Sequence, residues 1–489
     1  MTAMHDVTFE REEYKRNVKR WQLVEDCTEG QAAVKSRKEV YLPRPNPGDK
    51  STKANERYAG YCERAVFYNA TGRTLEGMVG LAFQKVPALE RHDDVDYVED
   101  DIDGKGLSIY QHSQQTLEAV LKTGFYGLLA DYPRVGGPVS KADAEKNAIR
   151  ATVAAYPAKS IINWKVEKIG GRHMLSMAVL RETFSTETPD GFGTEEKPQY
   201  RVLRLSENGG DRLYTQEVWR EHEKENSKEK EWYLHVEPFA PVDAAGRSWQ
   251  EIPFCFVGAK NNDAIPDKAP LYDIAELNIG HFRNSAEYED TCFMCGQVQP
   301  VMSGVERDWV EYLEEKGFQI GSRVVLPLPI GASFSYEQAA PNPIPAEAMK
   351  TKEAQMVALG AQLLTAGQTT KTATEADADN SRNTSVLALV ASNVSEAYTR
   401  CLNWIGRFMG ADHEYLYTIT QDFTRYSLQP QLITALVQLW QTGKYPDSDL
   451  WEQLRKYGLI NSERQDEEIK DELETSGEGL GLGGEGEDA

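Results

Sequence analysis

Residues 270–295 read PLYDIAELNIGHFRNSAEYEDTCFMC, and residues 346–364 read AEAMKTKEAQMVALGAQLL. The first stretch predicts one helix roughly 40 Å long, because each helical residue adds about 1.5 Å. In the second stretch, Met349, Met356 and Leu363 recur at seven-residue intervals, a spacing typical of one helix face. The second half of the chain is therefore predicted to contain two helices with an intervening segment that does not continue either helix.

The segments around these two helices have different patterns. Residues 300–340 predict a small compact insert. Its predicted elements are a strand, a helix over Asp308–Lys316, and strands around Ile320 and Val324–Leu328. Residues 366–384 have no apolar face and predict an exposed, mobile loop. Apolar residues then repeat every three to four positions from Val386 to Met409, and Gly410 follows at the C-cap position, which predicts an amphipathic helix.

The first half of the chain combines helices with strands. The predicted helices are Phe9–Thr28, Asn55–Phe83 with a kink at 69–72, and Leu107–Lys122. Residues 126–133 predict a buried strand that ends at a proline, and short strands follow between Tyr156 and Val257. Gly209-Gly210 marks a hairpin turn between two of these strands. We therefore predict an α+β chain that is mainly helical.

The chain ends in two predicted helices and a tail. The helices are 427–440 and 449–457, each followed by a glycine. Residues 461–489 are rich in glycine and carboxylates. Such a composition cannot bury enough apolar surface to order itself, so this tail is predicted to be disordered.

Length and charge narrow the class of protein. A chain of 489 residues is expected to form about two to four structural units. The sequence has no apolar run long enough to span a membrane and no apolar signal-peptide core at its start, so we expect a protein that stays in a cytoplasm or in a particle assembled there. The net charge of −23 argues against a protein that grips duplex DNA tightly, but it suits one that lets DNA slide.

No pattern of catalytic residues emerges. The phosphate-binding P-loop is absent, since Lys371 follows Gly367 by four positions instead of one. Asp101-Ile102-Asp103-Gly104 resembles part of a calcium loop, but Tyr110 occupies the position where a bidentate Glu is required. We therefore interpret this stretch as a solvated acidic turn before a helix, and we predict a protein that is not an enzyme and has no cofactor.

The cysteines and histidines do not predict a metal site either. Cys292 and Cys295 form the one C-x-x-C pair, and no further ligands lie at suitable spacing, so all six cysteines are predicted to be free thiols. His281 shares a helix face with Asn278 and Ser285. A polar contact between helices is favoured there over a metal site.

Several stretches, taken in order, resemble the portal (head–tail connector) proteins of tailed bacteriophages, in particular a portal family often catalogued only as a domain of unknown function. They are 61–65 with 67–74, 101–103 leading to 127–133, 161–164, 270–278 with 281–283, and 356–364 followed by 372–376. No single motif is decisive, and the order of the stretches over residues 10–460 carries the likeness.

The resemblance implies a portal architecture with an α/β wing, a two-helix stem, a small α/β clip and a helical crown. The implied boundaries are wing 1–265, first stem helix 270–298, clip 299–340, second stem helix 346–364, tunnel loop 366–384, long wing helix 385–412, crown 413–460 and acidic tail 461–489.

The resemblance also implies a function. Portal subunits form a ring, typically of twelve copies, at one vertex of the capsid in the virion, after assembly in the host bacterial cytoplasm. Double-stranded DNA passes through the ring without sequence recognition during packaging and ejection. The implied partners are further copies of the chain, the terminase large subunit, a head–tail adaptor, and the major capsid and scaffolding proteins.

The resemblance to portal proteins also implies roles for individual residues. The loop facing DNA would include Thr369, Thr370, Lys371, Thr372 and Arg382. The stem interface between copies would include Leu271, Ile274, Asn278, His281, Phe282, Met356 and Leu363. The clip surface that docks terminase or adaptor would include Trp309, Tyr312, Phe318 and Arg323. Lys371 and Arg382 could each contact one phosphate without reading a base, and the alternative is that they belong to a solvated loop.

Two other classes stay open from the sequence. A different head–tail adaptor or phage structural protein is one, although adaptors are usually much shorter than this chain. A hydrolase with an unfamiliar site is the other. A ring with a central hole would separate the portal hypothesis from both.

Overall fold

The structure is a computed structural model, and it describes most but not all of the chain. The described residues are 6–134, 149–169, 171–188, 190–208, 211–223, 230–317, 328–340, 342–364, 385–411, 413–421, 440, 446–456, 466 and 468–470. The chain divides into two compact units, Met1–Gln421 and Asp422–Ala489.

The described α-helices lie before Gly124 and after Leu271. They are α1 (Glu12–Glu29), α2 (Gln31–Ser36), α3 (Thr52–Arg64), α4 (Ala70–Ala82), α5 (Ile109–Thr123), α6 (Tyr272–Cys295), α7 (Arg307–Lys316), α8 (Ile344–Leu364), α9 (Val386–Met409) and α10 (Asp447–Lys456). Short 3-10 helices cover Lys38–Val40, Asp93–Glu99 and Ala158–Ser160. All except α10 belong to the first unit.

The strands of the first unit pair antiparallel throughout. They are β1 (Ala88–Glu90), β2 (Phe125–Asp131), β3 (Thr152–Pro157), β4 (Ile161–Ile169), β5 (Arg172–Glu187), β6 (Thr194–Asn208), β7 (Asp211–Glu223), β8 (Lys230–Phe239), β9 (Phe254–Gly258), β10 (Gln299–Ser303), β11 (Ser333–Glu337) and β12 (Leu416–Thr418). The larger sheets have the orders β3-β2-β9 and β4-β5-β6-β7-β8, and β1 pairs with β12 and β10 with β11.

The core of the first unit is built around β2. Its residues from Phe125 to Ala130 are buried, as expected for the central strand of a sheet that is covered on both faces. The Phe125 ring lies 6.2 Å from that of Trp21 in α1, and 5.2 Å from each of those of Trp164 and Phe256. This aromatic cluster joins α1 to β2, β4 and β9.

A partly buried ionic network joins the two larger sheets. Arg201 of β6 lies 3.2 Å from Asp131 of β2 and 2.8 Å from Glu182 of β5. Burial alone would raise the pKa of Glu182, but Arg201 and the hydroxyl of Tyr156 outweigh it and hold this pKa below its usual value. Because each charge has partners, the network can stay buried at neutral pH.

Most of the predicted elements are confirmed, with three corrections. Residues 55–83 form two helices instead of one, since Asn69 caps a new helix by accepting a hydrogen bond from the Gly72 amide at 2.8 Å. The strands between 156 and 257 are long instead of short. In the insert, β11 was not predicted, and the expected strands around 320 and 324–328 lie almost wholly outside the described residues.

In the second unit, α10 confirms the short helix expected at 449–457. Trp440 is the one described residue of the helix expected at 427–440. Within the tail expected to be disordered, residues 466 and 468–470 are helical, Asp466 pairs with Arg455, and Ile469 is buried. The described part of the tail is thus ordered by an ion pair and by apolar burial.

Gly127 in β2 lies where the sheet packs closely, and its replacement tests this packing. A Cβ atom at Gly127 would lie 2.3 Å from Cζ of Phe254, so we expect Gly127→Ala to lower the free energy of unfolding by about 1–3 kcal/mol. Gly77 in α4 has no neighbour within 4 Å of such a Cβ, and Gly77→Ala should raise it by up to ~1 kcal/mol. Denaturant unfolding of both variants measures the two changes, and equal effects would contradict this account.

Candidate functional site

The first half of α6 is anchored in the first unit by a buried amide. Asn278 is fully buried, and its Oδ1 accepts hydrogen bonds from the Thr71 amide at 3.1 Å and the Thr71 hydroxyl at 2.9 Å. Its Nδ2 donates to the Tyr68 carbonyl at 2.7 Å. Since these groups lie at the start of α4, where backbone amides lack helical partners, Asn278 fixes α6 at a helix terminus.

Polar contacts join α6 to α8. His281 Nε2 lies 3.1 Å from Glu353 Oε1, and Lys352 Nζ donates to Asn284 Oδ1 at 2.6 Å. Gly280 leaves room for the Lys352 stem, since a Cβ there would lie 3.1 Å from Lys352 Cε. The prediction that His281 makes a polar contact between helices is confirmed.

The insert between α6 and α8 is attached to the end of α6. Gln338 Nε2 donates to the Cys295 carbonyl at 2.6 Å, directly after β11. Within the insert, β10 pairs with β11, and in α7 the rings of Trp309 and Tyr312 stack 5.1 Å apart. Trp309 is half-buried and Tyr312 is exposed, so the aromatic pair offers an apolar surface at this end of the helices.

The second half of α8 is uncharged, mainly apolar and largely exposed. Residues 354–363 read AQMVALGAQL, with glutamine as the only polar residue type. Met356 is the one buried residue in this stretch, and Val357 keeps 73% of its surface exposed. An exposed apolar patch is typical of a surface that contacts another molecule. The exposed surface of residues 354–363, here called the α8 surface, therefore has the character of an interface.

The α8 surface is not the residue set expected from the sequence. Leu271, Ile274, Asn278, His281, Phe282 and Met356 are all buried within the chain itself, and Leu363 is half-buried. Their burial leaves these six side chains little surface for a second copy. The exposed apolar residues that sequence reasoning missed include Val357 and, at the end of α6, Phe293 and Met294. The sequence feature that could have identified the exposed part of α8 is the lack of any charged residue in this helix after Glu353.

Several expected site residues cannot be placed. The tunnel-loop residues Thr369, Thr370, Lys371, Thr372 and Arg382, and the clip residues Phe318 and Arg323, lie outside the described part of the chain. The roles suggested for them stay predictions.

The acidic turn at 101–104 precedes a helix, as interpreted from the sequence, but its carboxylates are bonded within the chain instead of only solvated. Asp103 accepts hydrogen bonds from the amides of Lys105 and Leu107, and Asp101 accepts one from Gly106 at 2.7 Å and pairs with Arg150. No cluster of three possible metal ligands exists among the described residues, and all six cysteines are free. Nor is any described helix both long and apolar enough to cross a membrane.

A known family model covers the helices and the insert together. Residues 270–409 match the family model described as a domain of unknown function (DUF4055). The matched range starts just before α6 and ends with the last residue of α9, so it treats α6, the insert, α8 and α9 as one segment. No curated protein matches the chain.

Two solved structures contain chains with a distant similarity. One is titled "Virion of native gene transfer agent (GTA) particle", with 16% identity, a TM-score of 0.38, and coverage of 87% of this chain and 98% of that one. The other is titled "Neck of empty GTA particle computed with C6 symmetry", with 16% identity, a TM-score of 0.38, and coverage of 85% and 96%.

The anchor of α6 is open to a direct test. Asn278→Ala leaves the buried amide and the hydroxyl of Thr71 without partners and removes one of the two hydrogen bonds to the Tyr68 carbonyl. We expect it to lower the free energy of unfolding by about 2–4 kcal/mol. Asn284→Ala removes one half-exposed bond and should cost less than about 1 kcal/mol. Denaturant unfolding compares the two variants, and an equal loss would show that the buried amide is not a special anchor.

Proposed function

We propose that the chain is a portal subunit, which forms a ring at one capsid vertex and conducts DNA during packaging and ejection. The observation that carries the proposal is the α8 surface, an exposed, uncharged and mainly apolar stretch of a helix that is paired with an anchored helix around a compact insert. The order of elements in this segment is the order expected of a stem and clip.

The α8 surface supports association of identical copies. It is contiguous, uncharged and held rigidly against α6 by the contacts of His281 and Lys352. When such a surface meets a different surface of the next copy, the contact is heterologous, and a suitable rotation closes it into a ring. Burial of apolar area on this helix would supply the short-range attraction.

The charge of the chain suits the passage of DNA. Twelve copies at −23 each carry roughly −280 in total. Where acidic side chains line a bore, they repel the phosphates from all directions, which centres the duplex and prevents tight binding. Lys371 and Arg382 would then supply transient contacts with single phosphates at the loop.

The insert is the proposed docking surface for other proteins. The stacked Trp309 and Tyr312 offer aromatic area of the kind that anchors protein interfaces. We assign this surface to the terminase large subunit during packaging and to a head–tail adaptor afterwards. The major capsid and scaffolding proteins would contact the rest of the ring, and the force for packaging would come from the terminase ATPase.

Ring formation tests the proposal. We expect Val357→Asp to abolish rings while leaving the monomer folded, because Val357 is 73% exposed in the single chain and an aspartate there would place a charge in an apolar interface. Val357→Ile keeps the surface apolar and serves as the matched control. Negative-stain microscopy and light scattering measure ring content, and circular dichroism reports folding.

The outcomes discriminate between functions. Rings with a central hole in the unmodified chain and in Val357→Ile, but not in Val357→Asp, support the proposal. A chain that stays monomeric at high concentration, or that turns over ATP, would overturn it in favour of an adaptor or a hydrolase.

The loop makes a separate prediction. Replacing both Lys371 and Arg382 with glutamine should leave ring assembly intact and reduce the DNA packaged or retained per particle, since two phosphate contacts per subunit are lost. Lys350→Gln, on the exposed side of α8, removes one cation elsewhere and serves as the control. Normal packaging by the double variant would assign the two cations to a solvated loop.

A further inference from the structure

The outer side of α1 is basic, although the net charge of the chain is −23. Its four cations are Lys15, Arg16, Lys19 and Arg20, here called the α1 basic face. All four are exposed, and their spacing places them together on the side of the helix that faces away from the buried Trp21. A positive surface of this kind on an acidic chain attracts a negatively charged partner.

Most of these cations have no ionic partner within the chain. Lys15 pairs with Glu12 at 3.0 Å. Among the residues that the structure describes, no salt bridge involves Arg16, Lys19 or Arg20. Their charges are therefore available to another molecule.

The basic face does not stabilise the helix that carries it. Lys15 and Lys19 are four residues apart, as are Arg16 and Arg20, and like charges at this spacing destabilise a helix. The last turn of α1, where the helix dipole favours cations, contains no basic residue. The placement of these cations is thus unfavourable for the isolated chain, which favours a role in a contact.

A segment of opposite charge lies ahead of α5. Residues 93–100, here called the acidic segment, contain no cation and five carboxylates: Asp93, Asp94, Asp96, Glu99 and Asp100. Val95 and Val98 are fully buried, so the 3-10 helix in this segment is fixed to the unit on its inner side. Its carboxylates are held outward on an ordered element.

Three carboxylates of the acidic segment are available to a partner. Asp96 and Asp100 are exposed, and no salt bridge among the described residues involves either of them. The Asp93 side chain is fully exposed and approaches Arg91 only to 3.8 Å, whereas Arg91 pairs with Glu99 at 2.5 Å. The acidic segment therefore matches the basic face in size and in its lack of internal partners.

The two charged surfaces lie at opposite ends of α5. The acidic segment precedes this helix, and Phe125, directly after its end, stacks on Trp21 of α1 with the ring centroids 6.2 Å apart. A helix of fifteen residues is roughly 22 Å long. The surfaces are thus too far apart to neutralise each other within one chain, but they are held in a fixed relation by the same unit.

We propose that the α1 basic face of one copy binds the acidic segment of the next copy. The contact is heterologous, so it links copies front to back. As a contact between neighbours in the ring, it rests on the proposed function, but it uses surfaces other than the α8 surface. DNA could also bind the basic face, but it would leave the carboxylates of the acidic segment without partners, whereas a second copy accounts for both surfaces.

Charge reversal in the full-length chain tests this contact. One variant combines Arg16→Glu with Lys19→Glu, and a second combines Asp96→Lys with Asp100→Lys. Each variant should weaken self-association at least roughly tenfold, because like charges then meet in the contact. A third variant with all four changes should regain most of the association, since its two surfaces are again complementary. Sedimentation equilibrium measures all three.

Net charge is controlled in the same experiment. The aspartate-to-lysine variant is less negative than the unmodified chain, so general repulsion alone would strengthen its association. The contact predicts the opposite sign. Lys85→Glu with Lys168→Glu, at two exposed lysines outside both surfaces, has the same net charge as the α1 variant and should weaken association much less. Equal losses from these two variants would overturn the inference.

Mixing shows whether the contact joins different copies. Equal amounts of the α1 variant and the aspartate-to-lysine variant should associate with each other although neither associates well alone, because each supplies the surface that complements the other. Failure of the mixture to associate, while the unmodified chain does so, would contradict a contact between copies.

Folding and DNA binding are measured on the same variants. The α1 variant should unfold at a higher denaturant concentration than the unmodified chain, because the change replaces two like-charge pairs in α1 with opposite-charge pairs. Weaker association of a more stable chain identifies a contact and not a folding defect. Unchanged self-association, together with loss of binding to a short DNA duplex, would assign the basic face to DNA and overturn the inference.

The two proposals fail in different ways. Rings that are insensitive to the charge reversals would remove this contact and leave the portal proposal in place. Open chains of copies that depend on both surfaces but never close would support the contact and remove the portal proposal. No association of the unmodified chain under any condition would remove both.

Discussion

The Asn278 amide is the constraint on which the helix and insert segment depends. It is fully buried, and it joins the middle of α6 to the backbone at the start of α4. Because a buried amide with satisfied partners accepts one geometry and rejects others, it sets both the position and the rotation of α6. The rotation determines which side of α6 meets α8 through His281, and hence which side of α8 stays exposed.

The parts of the fold that could be predicted are those with strong local signals. The helix α9 was predicted almost to the residue, because its apolar positions repeat and Gly410 ends it with a left-handed φ of 72°. The break between α3 and α4 was underestimated, since a single cap at Asn69 outweighs a continuous apolar period. Strand lengths in β5 and β6 depend on pairing between distant segments, and this pairing leaves no local pattern in either strand.

Which apolar helix faces are covered within the chain was harder to predict than the fold. The spacing of apolar residues shows that one face of a helix is buried. It does not show whether the residues that pack against this face belong to the same chain. In α6 the residues at Leu271, Ile274 and Phe282 are used within the chain. In α8 the informative feature is the absence of any charged residue after Glu353, which a search for apolar periodicity overlooks.

An acidic subunit places a further condition on assembly. Copies that each carry −23 repel one another, and ions screen this repulsion beyond about 8–10 Å at physiological salt. Attraction must therefore act at shorter range than the screening length, through apolar contact or locally opposite charges. In the proposed assembly, the α8 surface would supply the apolar contact. In the proposed ring, the remaining negative charge would face the phosphates of DNA, so the charge that opposes assembly would also prevent tight binding of the duplex.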